Sequence, residues 1–521
     1  MIFNFNDFPE EIAQKYDICI VGTGAASLAM LSQLLDNELT ILVLEAGGEY
    51  ITEKNQDQYK TINKVHPFPG ALDGRFRVFG GSTTKWGAQS LPLEKIDFIE
   101  RDWINNSGWP ISYNEVFTFY SKVDSFLQLY PVEYAEDIST INQLPKLQAN
   151  TNISLKFSKW SAKPDLRESF REQLIKSENV TLIQNANVVN INLFASGDRV
   201  ESLTCVNLEK KEFKFSAKRF VLACGGIENA RLLLASNNQM SNGIGNQNGM
   251  VGRYLQDHPN AHIATLHAKD DKAQAYFNYF YINGTRFLPR FVFSEKFQRD
   301  NLILNSSAYF SFITDENDLF SIIKDFYRKY RRRSLVSADF KIIFKVLKNM
   351  PHLFKIGYSY AIKKRVYTPN AVLKLNLMTE ATPLSENRIC LSKEVDQLGM
   401  PRAIINWEGD ELMRQTFIKS AEFLKKYFDK LDLGKLELDD WIYDAKWFDH
   451  IKDAKHHIGT TRMATDEYTG VVDSNCRVFG IDNLYIAGSS VFPTSGHSNP
   501  TTTIIALAFR LADHLKNNKH D

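Results

Sequence analysis

A short β-branched run, Asp17-Ile-Cys-Ile-Val21, leads straight into Gly22-Thr-Gly24-Ala-Ala-Ser27, and Leu28 to Leu35 then continue with helical spacing. Strand, glycine turn and helix in this order specify a parallel βα unit. Gly22 permits the tight turn, Gly24 lets the backbone approach a pyrophosphate, and the helix N-terminus offers aligned N–H groups to its charge. Ser27 stands where a third glycine is usual, so helix and strand should sit slightly further apart there. The next strand, Thr40 to Gly48, carries Glu45 about 20 residues after the glycines, where a carboxylate binds ribose hydroxyls and repels a 2′-phosphate. The plainer alternative is an ordinary turn and a strand that ends in solvent. A dinucleotide site that disfavours NADP accounts for both features together, but this unit alone does not separate NAD from FAD.

The chain has 521 residues, 44% hydrophobic and 24% charged, which is enough for more than one core and is typical of a globular protein. Its net charge of +1 gives no global case for nucleic acid. Cys19, Cys205, Cys224, Cys390 and Cys476 are odd in number, scattered and never spaced C-x-x-C. Neither a disulfide framework nor a zinc cluster is expected, and no metal site is assigned. With no signal-like N-terminus and no apolar run of about 18 residues, a cytoplasmic location is expected, with peripheral contact at the inner face of the membrane as an alternative.

Four further segments resemble the glucose–methanol–choline (GMC) family of flavoenzymes. Phe79-Gly80-Gly81-Ser82-Thr83-Thr84-Lys85-Trp86-Gly87 is similar to the family loop against the flavin and its pyrophosphate. Residues 218–236 pass from strand through Ala223 and Gly225-Gly226 into a helix, as in the family's second crossing near the cofactor, and Val188 matches the position whose backbone meets adenine. Gly252-Arg253-Tyr-Leu-Gln-Asp257-His258-Pro259 matches the exit from the cofactor domain, with His258 read as structural. The longest match is C-terminal: Asn387 to Ser392, Asp396 to Pro401, His456-His457-Ile458-Gly459-Thr460-Thr461-Arg462-Met463, and residues 470–515. Bacterial sugar and sugar-acid dehydrogenases and pyranose oxidases share these phrases most closely.

The resemblance implies an α/β fold: a Rossmann-like FAD-binding domain with a discontinuous, α+β substrate domain on a mostly antiparallel sheet. The expected division gives 1–97, 175–255 and 455–521 to the FAD domain, and 98–174 and 256–454 to the substrate domain. It further implies oxidation of an alcohol by hydride transfer to flavin N5. In H-x-x-G-T the base is His456. Asn499, in Ser498-Asn499-Pro500-Thr501, holds the substrate oxygen, and the simpler reading of Asn499 is a cap on the helix that follows. His457 and His497 are candidates for the substrate pocket. Gly22, Gly24, Glu45, Gly80, Gly81, Ser82, Trp86, Val188, Ala223, Gly225, Gly488, Ser489, Pro500 and Thr501 are the expected cofactor contacts. Lys85 stands where some relatives carry a histidine bonded to the flavin, so dissociable FAD is expected.

Residues 321–367 hold 13 Lys/Arg against two Asp, interleaved with apolar and aromatic residues. This basic amphipathic insert reads either as a solvated helical insertion or as an element resting on anionic lipid. The leading expectation is oxidation of a carbohydrate-like alcohol, with electrons passed to oxygen, a quinone or a protein. The alternatives are a lyase that keeps FAD as a structural relic, an oxidoreductase acting on a lipid-linked saccharide at the membrane surface, and a non-catalytic FAD-bound membrane module.

Overall fold

The structure is a computed structural model that describes residues 1–9, 16–35, 38–135, 150–314 and 350–518. Residues 321–349 of the basic insert 321–367 lie outside the described residues. Among the described residues, no helix is long and apolar enough to cross a membrane.

One layer is a six-stranded parallel sheet. Its order is Ile2–Asn4, Val180–Gln184, Ile41–Glu45, Tyr16–Val21, Ala217–Leu222 and Leu484–Ile486. Every residue of Ile41–Glu45 is buried, as expected of a parallel strand covered on both faces. The helices Ala25–Leu34 and Thr501–Asn517 pack against each other over this sheet. The strand expected at 17–21 and the helix after it therefore form as the sequence indicates, and the C-terminal segment completes the same sheet.

The second layer is an antiparallel sheet ordered Gly434–Leu438, Asn260–Ala268, Val372–Thr379, Ser306–Ile313, Thr285–Phe293, Ile153–Trp160 and Gln89–Ser90. Side chains alternate across it. On one face Phe291 and Phe310 meet Phe428 of the helix Glu411–Lys430, with ring centroids 5.1 and 5.4 Å apart. The register Arg286↔Trp160 and Arg290↔Lys156 puts those four residues on the other face. Two buried ion pairs tie distant segments together: Arg101 grips Glu380 with two bonds of 2.8 and 2.7 Å, and Arg231 meets Asp396 at 2.6 Å. Two three-stranded sheets complete the described fold. One contains Asn187–Leu193, Val200–Val206 and Glu212–Phe215, and the other contains Arg388–Val395, Pro401–Asn406 and Ile62–Asn63.

Candidate active site

A cavity of about 640 Å³ opens at the carboxyl ends of the parallel strands. Brought together on its wall are Gly22, Gly24, Glu45, Gly81, Ser82, Trp86, Val188, Ala223, Gly225, Gly488, Ser489, Pro500 and Thr501, together with His456, His457 and Asn499. Gly80 is not on the wall. Its N–H donates to the Thr23 hydroxyl at 2.9 Å and so holds the loop behind it. His497 is also off the wall, buried, with neither ring nitrogen partnered among the described residues.

The glycine turn is built as the sequence requires. Gly22 has φ +100°, and a Cβ there would stand 2.7 Å from the Ala223 carbonyl oxygen, so only glycine fits between the two strand ends. Gly24 precedes the helix and borders open space where a Cβ would lie, as do Gly225 and Gly488. The Glu45 carboxylate accepts the Thr23 N–H at 3.0 Å, the Thr23 hydroxyl at 2.5 Å and the Gly47 N–H at 2.8 Å.

Two wall residues, Arg75 and Arg77, were not legible as site residues in the sequence. Arg75 bonds Glu228 at 2.6 Å, and Arg77 bonds the Asn187 side chain at 2.8 Å and Glu228 at 3.4 Å. Burial pushes the Glu228 carboxyl up, but the charges of Arg231, Arg75 and Arg77 outweigh it and hold it at about 2. Positive charge therefore exceeds negative on this wall. Open glycine cradles, a helix N-terminus, a ribose-binding carboxylate position and surplus cations together fit an anionic dinucleotide such as FAD.

At the other end of the cavity, two remote segments run antiparallel, bridged at Gln256↔Ile458 and Asn260↔Lys452. The buried Asp257 carboxylate locks them together by accepting the backbone N–H groups of His258 at 2.6 Å and of Ala454 and His456 at 2.9 Å each. Burial and the nearby Asp453 push the Asp257 carboxyl up, to about 8, against the pull of those three bonds. The consecutive histidines diverge. His456 meets His258 and Asn499, whereas the His457 ring lies 5.5 Å from Phe68.

The hydrogen bonds around His456 form a directed chain. The Nε2 of His258 lies 3.3 Å from the Ser495 carbonyl oxygen, which can only accept, so that nitrogen carries the proton. The Nδ1 of the neutral His258 ring is then an acceptor, and it takes the Nδ1–H of His456 across 2.9 Å. This leaves the Nε2 of His456 unprotonated, with its lone pair accepting the side-chain amide N–H of Asn499 across 3.3 Å. The neutral state follows from the surroundings. Burial drives His456 well below the ordinary imidazole range, with His258, His457 and Arg290 adding to the effect, and burial with Arg290 sets His258 at about 4.

Asn499 does not cap the helix. The helix begins at Thr501 with Pro500 at the cap and no side-chain bond to its first turn, so the amide is free for His456.

Arg290 is a further residue that local sequence did not reveal. It is 2% exposed, donates to the Ser307 hydroxyl at 3.0 Å and lies 4.5 Å over the Tyr309 ring. No carboxylate is bonded to it among the described residues, so it stands as an uncompensated buried cation beside the active-site histidines.

A two-domain flavoprotein oxidoreductase is the class that this sheet, cavity and histidine site define. Family models described as GMC oxidoreductase match residues 149–260 and 383–508. The chain is 22% identical to paromamine 6'-oxidase of Streptomyces fradiae over 545 residues, covering 95% of this chain and 90% of the relative. It is 26% identical to the fructose dehydrogenase large subunit of Gluconobacter japonicus over 351 residues, covering 66% of this chain and 55% of the relative. Among solved structures, pyridoxine 4-oxidase from Mesorbium loti superimposes with a TM-score of 0.59 at 16% identity, over 96% of this chain and 99% of that one. A fungal aryl-alcohol oxidase follows with a TM-score of 0.58 at 15% identity, over 97% of this chain and 100% of that one. In these two segments the chain is similar to GMC oxidoreductases, and it is an FAD-dependent enzyme acting on CH–OH groups.

Proposed function

We propose that this enzyme oxidises an alcohol of a carbohydrate-like substrate to a carbonyl, with His456 as the base and Asn499 holding the reacting oxygen. The observation that carries the reading is the unprotonated Nε2 of His456 on the cavity wall, bonded to an Asn499 amide N–H that a substrate hydroxyl would displace. When bound, FAD supplies the acceptor for the electron pair and hydrogen lost from the substrate carbon. The hydroxyl proton goes to His456 Nε2. The second hydrogen of the Asn499 amide nitrogen is available to the substrate oxygen as negative charge develops on it. Because burial and neighbouring positive charge depress its basicity, His456 keeps its lone pair throughout the neutral range.

The carbohydrate assignment is supported by the likeness to paromamine 6'-oxidase and fructose dehydrogenase and by Trp160 on the cavity wall. Trp160 lines the cavity, and behind it on the same sheet face the Arg286 guanidinium lies 4.7 Å over its ring. Aromatic surface beside fixed hydrogen-bond donors suits a polyhydroxylated ring.

Anaerobic mixing of the FAD-loaded enzyme with a panel of sugars and amino sugars tests the assignment. A saturable loss of the oxidised flavin absorbance with at least one of them is expected. Substrate cleavage without any loss of that absorbance would make the protein a lyase. Reoxidation by oxygen, a quinone or a protein acceptor, tried in turn, identifies the electron acceptor.

A further inference from the structure

Among the described residues, the contacts of the helix Met350–Ala361 and the turn after it lie along one side. Lys355 pairs with Asp271 and lies 4.7 Å over the Tyr367 ring, Tyr360 packs edge-on to Tyr281 at 5.5 Å, and the Tyr281 N–H donates to the Lys364 carbonyl at 2.8 Å. The outward side carries Phe354, Tyr358 and Ile362, spaced i, i+4, i+8, and these are 77%, 48% and 66% exposed. Tyr360 is 55% exposed, and Ile313 and Val372, paired across the end of the antiparallel sheet, are 44% and 48% exposed. Single exposed apolar side chains are ordinary, but a stripe of them along one helix marks a contact surface.

The charge around the stripe indicates what it meets. From 350 to 379 the chain carries Lys355, Lys363, Lys364, Arg365 and Lys374 and no Asp or Glu. Lys363 and Lys364 follow the stripe directly, and the Lys363 ammonium lies 5.7 Å from the Tyr358 ring. Phe, Tyr and Ile beside flexible lysines, on a helix too short to span a bilayer, form an element that lies in the headgroup region. The apolar side chains then enter the acyl boundary while the ammonium groups stay among phosphates. An acidic protein groove would also answer the charge. A stripe of aromatic and aliphatic tips followed by two exposed lysines suits a planar, fluid anionic surface better than a shaped one.

We propose that the face formed by Phe354, Tyr358, Ile362, Lys363 and Lys364 docks the enzyme on anionic lipid bilayers. The docking is independent of the alcohol-oxidising site. Its substrate side is nonetheless near, since Tyr279, whose carbonyl accepts the Val366 N–H just past the turn, packs 5.5 Å from the cavity-lining Trp160.

Co-sedimentation of the full-length FAD-loaded enzyme with vesicles tests this. One set is an equal mixture of phosphatidylglycerol and phosphatidylcholine, and the other is phosphatidylcholine alone. Salt-sensitive binding to the first set only is expected. Lys363→Gln/Lys364→Gln should weaken it about 25-fold, at roughly fivefold per cationic side chain lost from an anionic surface. Phe354→Ser/Ile362→Ser should weaken it about tenfold or more. All four positions are exposed, so the flavin spectrum should match that of the parent in both variants. Absence of binding to the anionic vesicles, equal binding to neutral ones, or parent-like binding by both variants overturns the proposal. Capture by an acidic protein without vesicle binding does so too.

Discussion

The Nδ1 atoms of His258 and His456 stand 2.9 Å apart although 198 positions separate them in the chain, and the bond between them decides which nitrogen of His456 is basic. Replacing His456 by Ala should slow anaerobic flavin reduction at pH 7 by about 100-fold or more. His258→Leu leaves the base in place but frees its tautomer. It should lower the reduction rate about tenfold with little change in substrate affinity, because the wrong tautomer costs rate rather than binding. Stopped-flow absorbance at several substrate concentrations separates the two effects.

Asn499→Ala removes the amide beside the lone pair. The reduction rate should fall by about 100- to 1000-fold, in line with loss of one oxyanion donor. Because the helix Thr501–Asn517 takes no cap from this side chain, the melting temperature should stay close to that of the parent. A large drop in melting temperature would return Asn499 to a structural role.

Arg290 holds its charge beside His258, His456 and His497 and lowers all three. Arg290→Met should therefore raise the basicity of His456, so that protonation disables it at higher pH. The acid limb of kcat/KM should move upward, by about one pH unit for each 1.4 kcal/mol of repulsion removed. An unmoved limb would show that Arg290 does not act on the base.

Glu45→Ala takes away the carboxylate that straps Thr23 and Gly47 and the acceptor expected for ribose. FAD affinity should weaken about 10- to 100-fold, as for loss of hydrogen bonds to a charged group. Gel filtration followed by the ratio of flavin to protein absorbance measures it.

Stability should fall on acidification. His258 and His457 titrate at about 4 and about 3 in the folded chain, burial being the first cause in each. An unfolded histidine takes up its proton near pH 6.5, so below that value the unfolded state binds more protons than the folded one. The neutral, buried form thus contributes its full stability above pH 6.5, and this is lost progressively as pH falls towards 3, by on the order of 3 kcal/mol per residue. Asp257 works in the opposite sense. With its folded value raised to about 8, stability declines as pH rises from about 4 towards 8. Melting temperatures between pH 4 and 9 should pass through a maximum inside that interval.

The glycine turn, Glu45 and the strand–helix order were legible because each is a local pattern with a local cause. Gly22 needs a positive φ that its neighbours require, and Glu45 ends the next strand over. The motif count selected His456 over its neighbour, and the geometry gives a reason for the pair to diverge. His258 reads as structural in the sequence because the H-x-x-G-T segment is better placed for the base, and only the fold reveals that Asp257 pins it beside residues 454–456. Arg75, Arg77 and Arg290 were hidden for a related reason. A cation in a strand or loop is normally solvated, and only the fold reveals that Arg290 is enclosed without a carboxylate. The helix cap expected at Asn499 failed because Pro500 takes that place and the amide finds a better partner in His456.

The strand Leu484–Ile486 pairs with Ala217–Leu222, and the helix behind it covers Ala25–Leu34. A ribosome adding about 5–20 residues per second therefore leaves the nascent sheet with an open edge at Ala217–Leu222 for tens of seconds. An unpaired strand edge of this kind is adhesive. Newly made chains should accordingly lean on chaperones, and until the final helix has left the ribosomal tunnel the cavity lacks the wall that Gly488, Ser489, Pro500 and Thr501 supply.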